Sequence, residues 1–198
     1  MSQVLLSVMI PSRKRFDKLL AAVKSWLGNT KDWSNMEILV RLHGSDVESM
    51  NRVHEIPEFD KLHIGADKIV GHANNTLWNE LRKHATGIWH QYWSDDMILF
   101  DSGKHWDELL KDIPTTGFIV QPEIHRLGGS TYPAHVGGPV PFVPADAMEQ
   151  CGHMDGLLDP PDTSLHNILT GAGWQTRYLT GVGVFHDRVE DETCKLGP

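Results

Sequence analysis

The sequence predicts an α/β protein, a single domain with a mainly parallel central sheet flanked by helices. Three observations carry that expectation. At 198 residues the chain suits one sizeable core. The runs "VLLSVMI" and "MEILVRL" are almost wholly apolar, as in strands covered on both faces. Between such runs stand segments with apolar residues at helical spacing, and that alternation builds βαβ units.

The elements follow in order. Residues 4–10 read as a strand that Pro11 stops, because proline lacks the N–H that a ladder needs. Phe16, Leu19, Leu20, Val23, Trp26 and Leu27 mark one face of a helix ending near Gly28-Asn29. Residues 36–42 give a second strand, closed by the turn-forming "HGSD". "KLHIG" is a short third strand, and Leu77, Trp78, Leu81 and Ala85 mark a helix that Gly87 ends. "IWHQYW", residues 88–93, is a fourth strand. Gly and Pro then crowd residues 127–144, which read as a long loop able to close over a ligand. A helix at 145–151, the acidic turn "MDGLLDPPD", a helix carrying Leu165, Ile168, Leu169 and Ala172, and the strand "RYLTGVGVFH" complete a domain of residues 1–186. Residues 187–198 read as a frayed tail, and no repeat or linker divides the chain.

Composition narrows the function. The net charge of −8 argues against a broad nucleic-acid footprint, which needs clustered Lys and Arg. No apolar run is long enough for a membrane span. The two cysteines, Cys151 and Cys194, make no disulfide framework, so a reducing cytoplasm is the expected location.

The chemistry gathers at strand ends. Open sheets of this kind bind ligands outside the carboxyl ends of their strands, and "SRKR", "HGSD" and "SDD" all fall there. Asp95 and Asp96 stand side by side in "HQYWSDDMILF". Adjacent carboxylates repel, so this is either a solvated acidic turn or a place where a cation belongs.

Four blocks then stand in a recognisable order: "SVMIPSRKRFDKLLAAVKSWLGNT", "MEILVRLHGSDVES", "LWNELRKHATGIWHQYWSDDMIL" and "CGHMDGLLDPPDTSLHNILTGAGWQTRYLTGVGVFH". From Val4 to His186 the chain resembles the family 2 glycosyltransferases. The resemblance implies the GT-A (Rossmann-like) fold, a UDP-linked nucleotide-sugar donor, and Mn²⁺ or Mg²⁺ as the cation. It implies inverting hexosyl transfer to an acceptor hydroxyl on a glycan, small molecule, protein or modified nucleic-acid base.

The resemblance also assigns roles. Asp96 is the last acid of the family's D-x-D motif and a metal ligand, His186 completes the metal site, and Asp95 holds the ribose or a metal-bound water. Pro11, Ser12, Arg13 and Arg15 form the loop that grips the nucleotide, where a planar guanidinium suits phosphate. His43 stands at the base-recognition turn, and Asn79 either orders the diphosphate or packs its helix. Asp162 matches the general base that takes the acceptor proton. An Asp before T-S-L is also a good helix cap, and Asp159 is a second candidate for the base. Four departures stand out: Leu42 and His43 replace paired acids, Ser94 replaces the first Asp of D-x-D, and Pro161 replaces a glutamate. Processive members carry QxxRW, and its absence points to single addition. Of the seven tryptophans, Trp26, Trp78, Trp89, Trp93 and Trp174 read as core, with Trp93 the one placed to meet a sugar face. Two other functions compete. A non-catalytic nucleotide-sugar-binding module accommodates Ser94 and Pro161. A nucleotidyltransferase would want a glycine-rich loop where "IPSRKRFD" has no glycine.

Overall fold

The computed structural model describes residues 3–67, 73–101, 104–126, 131–132, 141–151 and 161–186, some at the ends of these stretches by their backbone alone. The first half comprises β1 (Leu6–Ser12), α1 (Phe16–Gly28), β2 (Met36–His43), α2 (Val47–Asn51), β3 (Leu62–Asp67), α3 (Ala73–Arg82) and β4 (Trp89–Tyr92). The second comprises β5 (Met97–Asp101), α4 (Trp106–Leu110), β6 (Phe118–Arg126), β7 (Thr131–Tyr132), β8 (Phe142–Pro144), α5 (Ala145–Cys151), α6 (Pro161–Gly171) and β9 (Gln175–His186).

All these strands join one sheet, in the order β3-β2-β1-β4-β8-β6-β9-β5, with β7 beside β6. From β3 to β4 every pair is parallel. β8 then runs antiparallel to both neighbours, β6 and β9 are parallel, and β5 is antiparallel to β9. The sheet is therefore mixed, and the expected mainly parallel sheet holds only for its first half. The reversal comes from β8, three residues inside the stretch 127–144 expected to be a loop. β7 is the other strand of that stretch, and the rest of it lies outside the described residues, as do Asp159 and the tail 187–198.

Helices cover both faces because the strand residues alternate. Leu6, Val8 and Ile10 of β1 share a core with Leu19, Val23 and Trp26 of α1. Met9, of opposite parity, packs with Trp78 and Leu81 of α3. Trp26 meets Trp93 edge-on at 4.9 Å and Trp106 at 5.7 Å between ring centroids. Trp93 has no exposed surface, so it belongs to the core and does not present a face to a sugar.

Pro11 does not stop β1. The carbonyls of Leu5 and Met9 accept from Trp89 and Trp93, so odd-numbered residues of β1 point their backbone groups towards β4. Pairing with β4 ends at Met9↔Tyr92. The N–H that Pro11 lacks would project beyond that pairing, and β1 continues beside β2 to Ser12↔Leu42.

Two local devices fix the strands that carry the site. Before β4, Gly87 lies hard against β1: a Cβ there would stand 2.5 Å from the Ser7 nitrogen and 2.8 Å from the Leu6 carbonyl carbon. Its N–H donates to Ser7 Oγ at 2.8 Å, and the Ser7 hydroxyl donates to buried Glu37 at 2.5 Å. At the far edge, the Leu99 N–H of β5 donates to Ser25 Oγ and the Leu99 carbonyl accepts from Asn29 Nδ2, both at 3.0 Å. α1 thus holds β5 along its outer side.

Candidate functional site

The chain leaves β1 towards β2 and β3 on one side, and β4 lies on the other. In doubly wound sheets such a switch point opens a crevice at the carboxyl ends of the strands. Ser12 ends β1 and Asp95 follows β4, and the two meet there: Ser12 Oγ donates to Asp95 Oδ2 at 2.6 Å.

Arg15 completes the cluster. Its Nε donates to Asp95 Oδ2 at 3.2 Å and its Nη2 forms an ion pair with Asp95 Oδ1. Nη1 reaches Asp96 Oδ2 at 3.3 Å. The Ser94 hydroxyl donates to the other oxygen of Asp96. Asp95 is fully buried. Burial pushes its carboxyl up to about 6, against the pull of the Arg15 guanidinium and the Ser12 hydroxyl. The like charge of Asp96 adds to the rise.

The loop that delivers Arg15 is bent at Lys14, whose φ of 57° lies in the left-handed region. That conformation costs a residue with a Cβ about 1–2 kcal/mol. Asp46 offsets it by accepting the Lys14 N–H at 2.5 Å, while its other oxygen caps α2 by accepting from Ser49 N at 3.2 Å. Asp46 and Ser94 were not among the sequence-derived candidates, yet both shape the site. Asp46 had a signal, since an Asp directly before "VESM" is a helix cap. Ser94 stood out only as a departure from D-x-D.

The other candidates take several positions. Pro11 is buried at the end of β1 and Arg13 is exposed in the loop. His43 ends β2, one residue beyond the register partner of Ser12, with its Nδ1 2.7 Å from Ser45 Oγ. Asn79 is buried on α3, which packs against β1 and β2. Asp162 is the second residue of α6, a helix docked through buried Leu165 and Leu169. His186 ends β9 opposite Met97, so its backbone lies beside the residue after Asp96. The side chains of Asp162 and His186 lie outside the described set.

One described residue, Asp96, is chemically suited to a divalent cation. Asp96 offers a hard carboxylate that is 15% exposed, and the register of β5 on β9 brings a histidine position alongside. An oxygen and an imidazole suit Mn²⁺ and are compatible with Mg²⁺. Among the described residues no group of three or more potential ligands gathers.

A cavity of about 440 Å³ lies elsewhere, near the amino-terminal ends of β1 and β4, beside Arg82, Thr86, Gly87, His90 and Glu149. His90 is 5% exposed. Burial, helped by the Arg82 charge, lowers its ring to about 4. No helix among the described residues is long and apolar enough to cross a membrane.

No protein-family model matches the sequence, and a search of curated proteins finds no match. Solved structures do match. S. aureus TarS 1–349 in complex with UDP-GlcNAc has 13% identity and a TM-score of 0.71, over 98% of this chain and 62% of that one. The mannosyltransferase PcManGT from Pyrobaculum calidifontis, in complex with GDP-Man and Mn²⁺, has 12% identity and a TM-score of 0.72, over 96% and 59%. The chain therefore spans about three fifths of the length of these two structures. It has a fold that nucleotide-sugar glycosyltransferases use, and the resemblance read from the sequence stands at that level.

Proposed function

We propose that this chain is a GT-A glycosyltransferase that moves a hexosyl group from a nucleotide sugar, UDP-linked, to an acceptor hydroxyl with inversion. The observation that carries the reading is the Ser12–Arg15–Asp95–Asp96 cluster at the switch point between β1 and β4. A donor diphosphate brings negative charge, and the planar fork of Arg15 meets phosphate oxygens well. Asp95, fully buried and bonded to Ser12, anchors Arg15 for that contact. A divalent cation held by Asp96 and His186 would neutralise the leaving diphosphate. Asp162 takes the acceptor proton as the acceptor oxygen bonds to the anomeric carbon and the bond to the diphosphate breaks. The products are a glycoside and a nucleoside diphosphate, with the proton on Asp162. His43 is assigned to base recognition and Asn79 to ordering the diphosphate, and the paucity of cysteines supports a cytoplasmic setting.

The test is turnover of labelled UDP- and GDP-sugars over a panel of glycan, small-molecule and protein acceptors, with and without Mn²⁺. Release of nucleoside diphosphate with sugar on an acceptor supports the reading. Release of pyrophosphate would replace it with nucleotidyl transfer, and binding without turnover would replace it with a sugar-nucleotide module.

A further inference from the structure

We infer that Arg15 is a built-in counter-ion that bars a free divalent cation from Asp96 and yields it only when a diphosphate arrives, so that metal and nucleotide bind as a pair. The inference rests on the donor and metal reading above.

The geometry of the guanidinium is uneven. Two of its nitrogens, Nε and Nη2, engage Asp95, whereas a single nitrogen reaches Asp96, at 3.3 Å. Asp95 is buried and also bonded to Ser12, so the Asp95 end of the contact is anchored. The Asp96 end is the one that can open. Arg15 is itself 17% exposed along its side chain, which leaves it reachable from the crevice.

Both oxygens of Asp96 are already served. Oδ2 takes the Arg15 contact and Oδ1 accepts from the Ser94 hydroxyl. A cation approaching alone must displace a donor and sit beside a fixed positive charge, with no new partner offered to the guanidinium. A diphosphate changes this. It gives Arg15 oxygens in exchange for Asp96, and bidentate phosphate contacts are among the strong charge-assisted ones. The freed carboxylate then becomes available to a cation that arrives with the same phosphates. Charge follows the same course: the diphosphate brings negative charge that a cation beside Asp96 can neutralise. Ser94, which departs from the family's acid at that position, contributes by removing a further negative charge.

The test is calorimetric titration with Mn²⁺ alone, UDP alone, and UDP in saturating Mn²⁺. The proteins are wild type, Arg15→Gln, Asp95→Asn, and the double variant Arg15→Gln/Asp95→Asn. The double variant answers the case in which Arg15→Gln fails to fold because its buried Asp95 loses a counter-charge. Wild type should bind Mn²⁺ alone weakly and UDP far better with Mn²⁺ than without. Removing Arg15 should tighten Mn²⁺ binding in the absence of nucleotide on the order of tenfold, a modest result of relieving one like-charge contact near the surface. The same change should erase most of the Mn²⁺–UDP synergy. If both variants lacking Arg15 bind Mn²⁺ no better than their Arg15-bearing parents, while wild type retains Mn²⁺-linked UDP binding, the counter-ion role is overturned and the donor reading survives. If wild type shows no Mn²⁺-linked binding of UDP or GDP, the donor reading fails and the inference fails with it.

Discussion

Gly87→Ala tests how the site is held rather than what it does. The added methyl would stand 2.5 Å from the Ser7 nitrogen, 2.7 Å from Ser7 Oγ and 2.8 Å from the Leu6 carbonyl carbon. Unstrained contacts to carbon lie near 3.5 Å, so the two backbones must part by roughly 1 Å. β1 cannot yield cheaply, because it is paired along one side with β2 and along the other with β4. The separation therefore strains the bonds that start β4: Gly87 N–H to Ser7 Oγ, Ile88 N–H to the Val4 carbonyl and Trp89 N–H to the Leu5 carbonyl. Overpacking of this kind costs about 1–3 kcal/mol, and each weakened bond adds up to about 1 kcal/mol. A loss of roughly 1–6 kcal/mol is expected on those terms. Gly28→Ala and Gly171→Ala are the controls. Both glycines end helices with nothing within 4 Å of the added atom, so the same substitution should be neutral or stabilising by up to about 1 kcal/mol. Urea unfolding followed by tryptophan fluorescence reads the difference, since Trp26, Trp89, Trp93 and Trp106 are fully buried. A Gly87→Ala loss below about 1 kcal/mol, at unchanged m-value, would refute the close approach of Gly87 to β1.

Three further outcomes follow from the same geometry. Asp162→Asn should lower the transfer rate by at least about 100-fold, the smaller figure for general-base assistance, with donor affinity unchanged; near-normal transfer would remove Asp162 as the base. Asp96→Ala should abolish Mn²⁺-linked UDP binding while thermal unfolding stays cooperative, and unchanged affinity would remove Asp96 from the metal site. His90 titrates near 4 in the fold against 6.5 for the free ring, so the unfolded chain takes its proton first and stability is drained as pH falls from about 6.5 to 4. Replacing it by His90→Gln should flatten that slope by about 3 kcal/mol, and parallel stability–pH curves for the two proteins would show that the ring is not held neutral.

The first half of the fold was legible because its strands are long, apolar and covered on both faces. β1, α1, β2, β3, α3 and β4 all stand close to where hydrophobic period placed them, and the crevice at their ends follows from alternation alone. The second half was not. β5 begins one residue after the acidic pair, too soon for a periodic signal to separate it from β4. β6 contains Pro122, a residue that speaks against a strand, and the ladder absorbs it with a register shift between Pro122 and Glu123. β8 is three residues long and ends in proline. Its pairing with β4 and β6 is a long-range event that no local pattern encodes, and it is what turns the sheet from parallel to mixed. Within the site, Asp95 and Asp96 drew attention as unbalanced charges. Their balance by Arg15, 80 residues away in sequence for Asp95, became visible only once β1 and β4 lay side by side.

The contact of α1 with β5 has a meaning beyond local packing. A sheet stops only where its last strand offers nothing to a newcomer, and exposed edges are templates for aggregation. Here the outward donor and acceptor at Leu99, in the middle of β5, are already spent on Ser25 and Asn29. A strand from another molecule would have to evict a side chain of a packed helix and that of its C-cap before forming its first rung at that position. Ser25 and Asn29 thus act as a terminator: they limit growth of the sheet from that side, and they do so with polar residues in and just after the helix that follows the nucleotide loop.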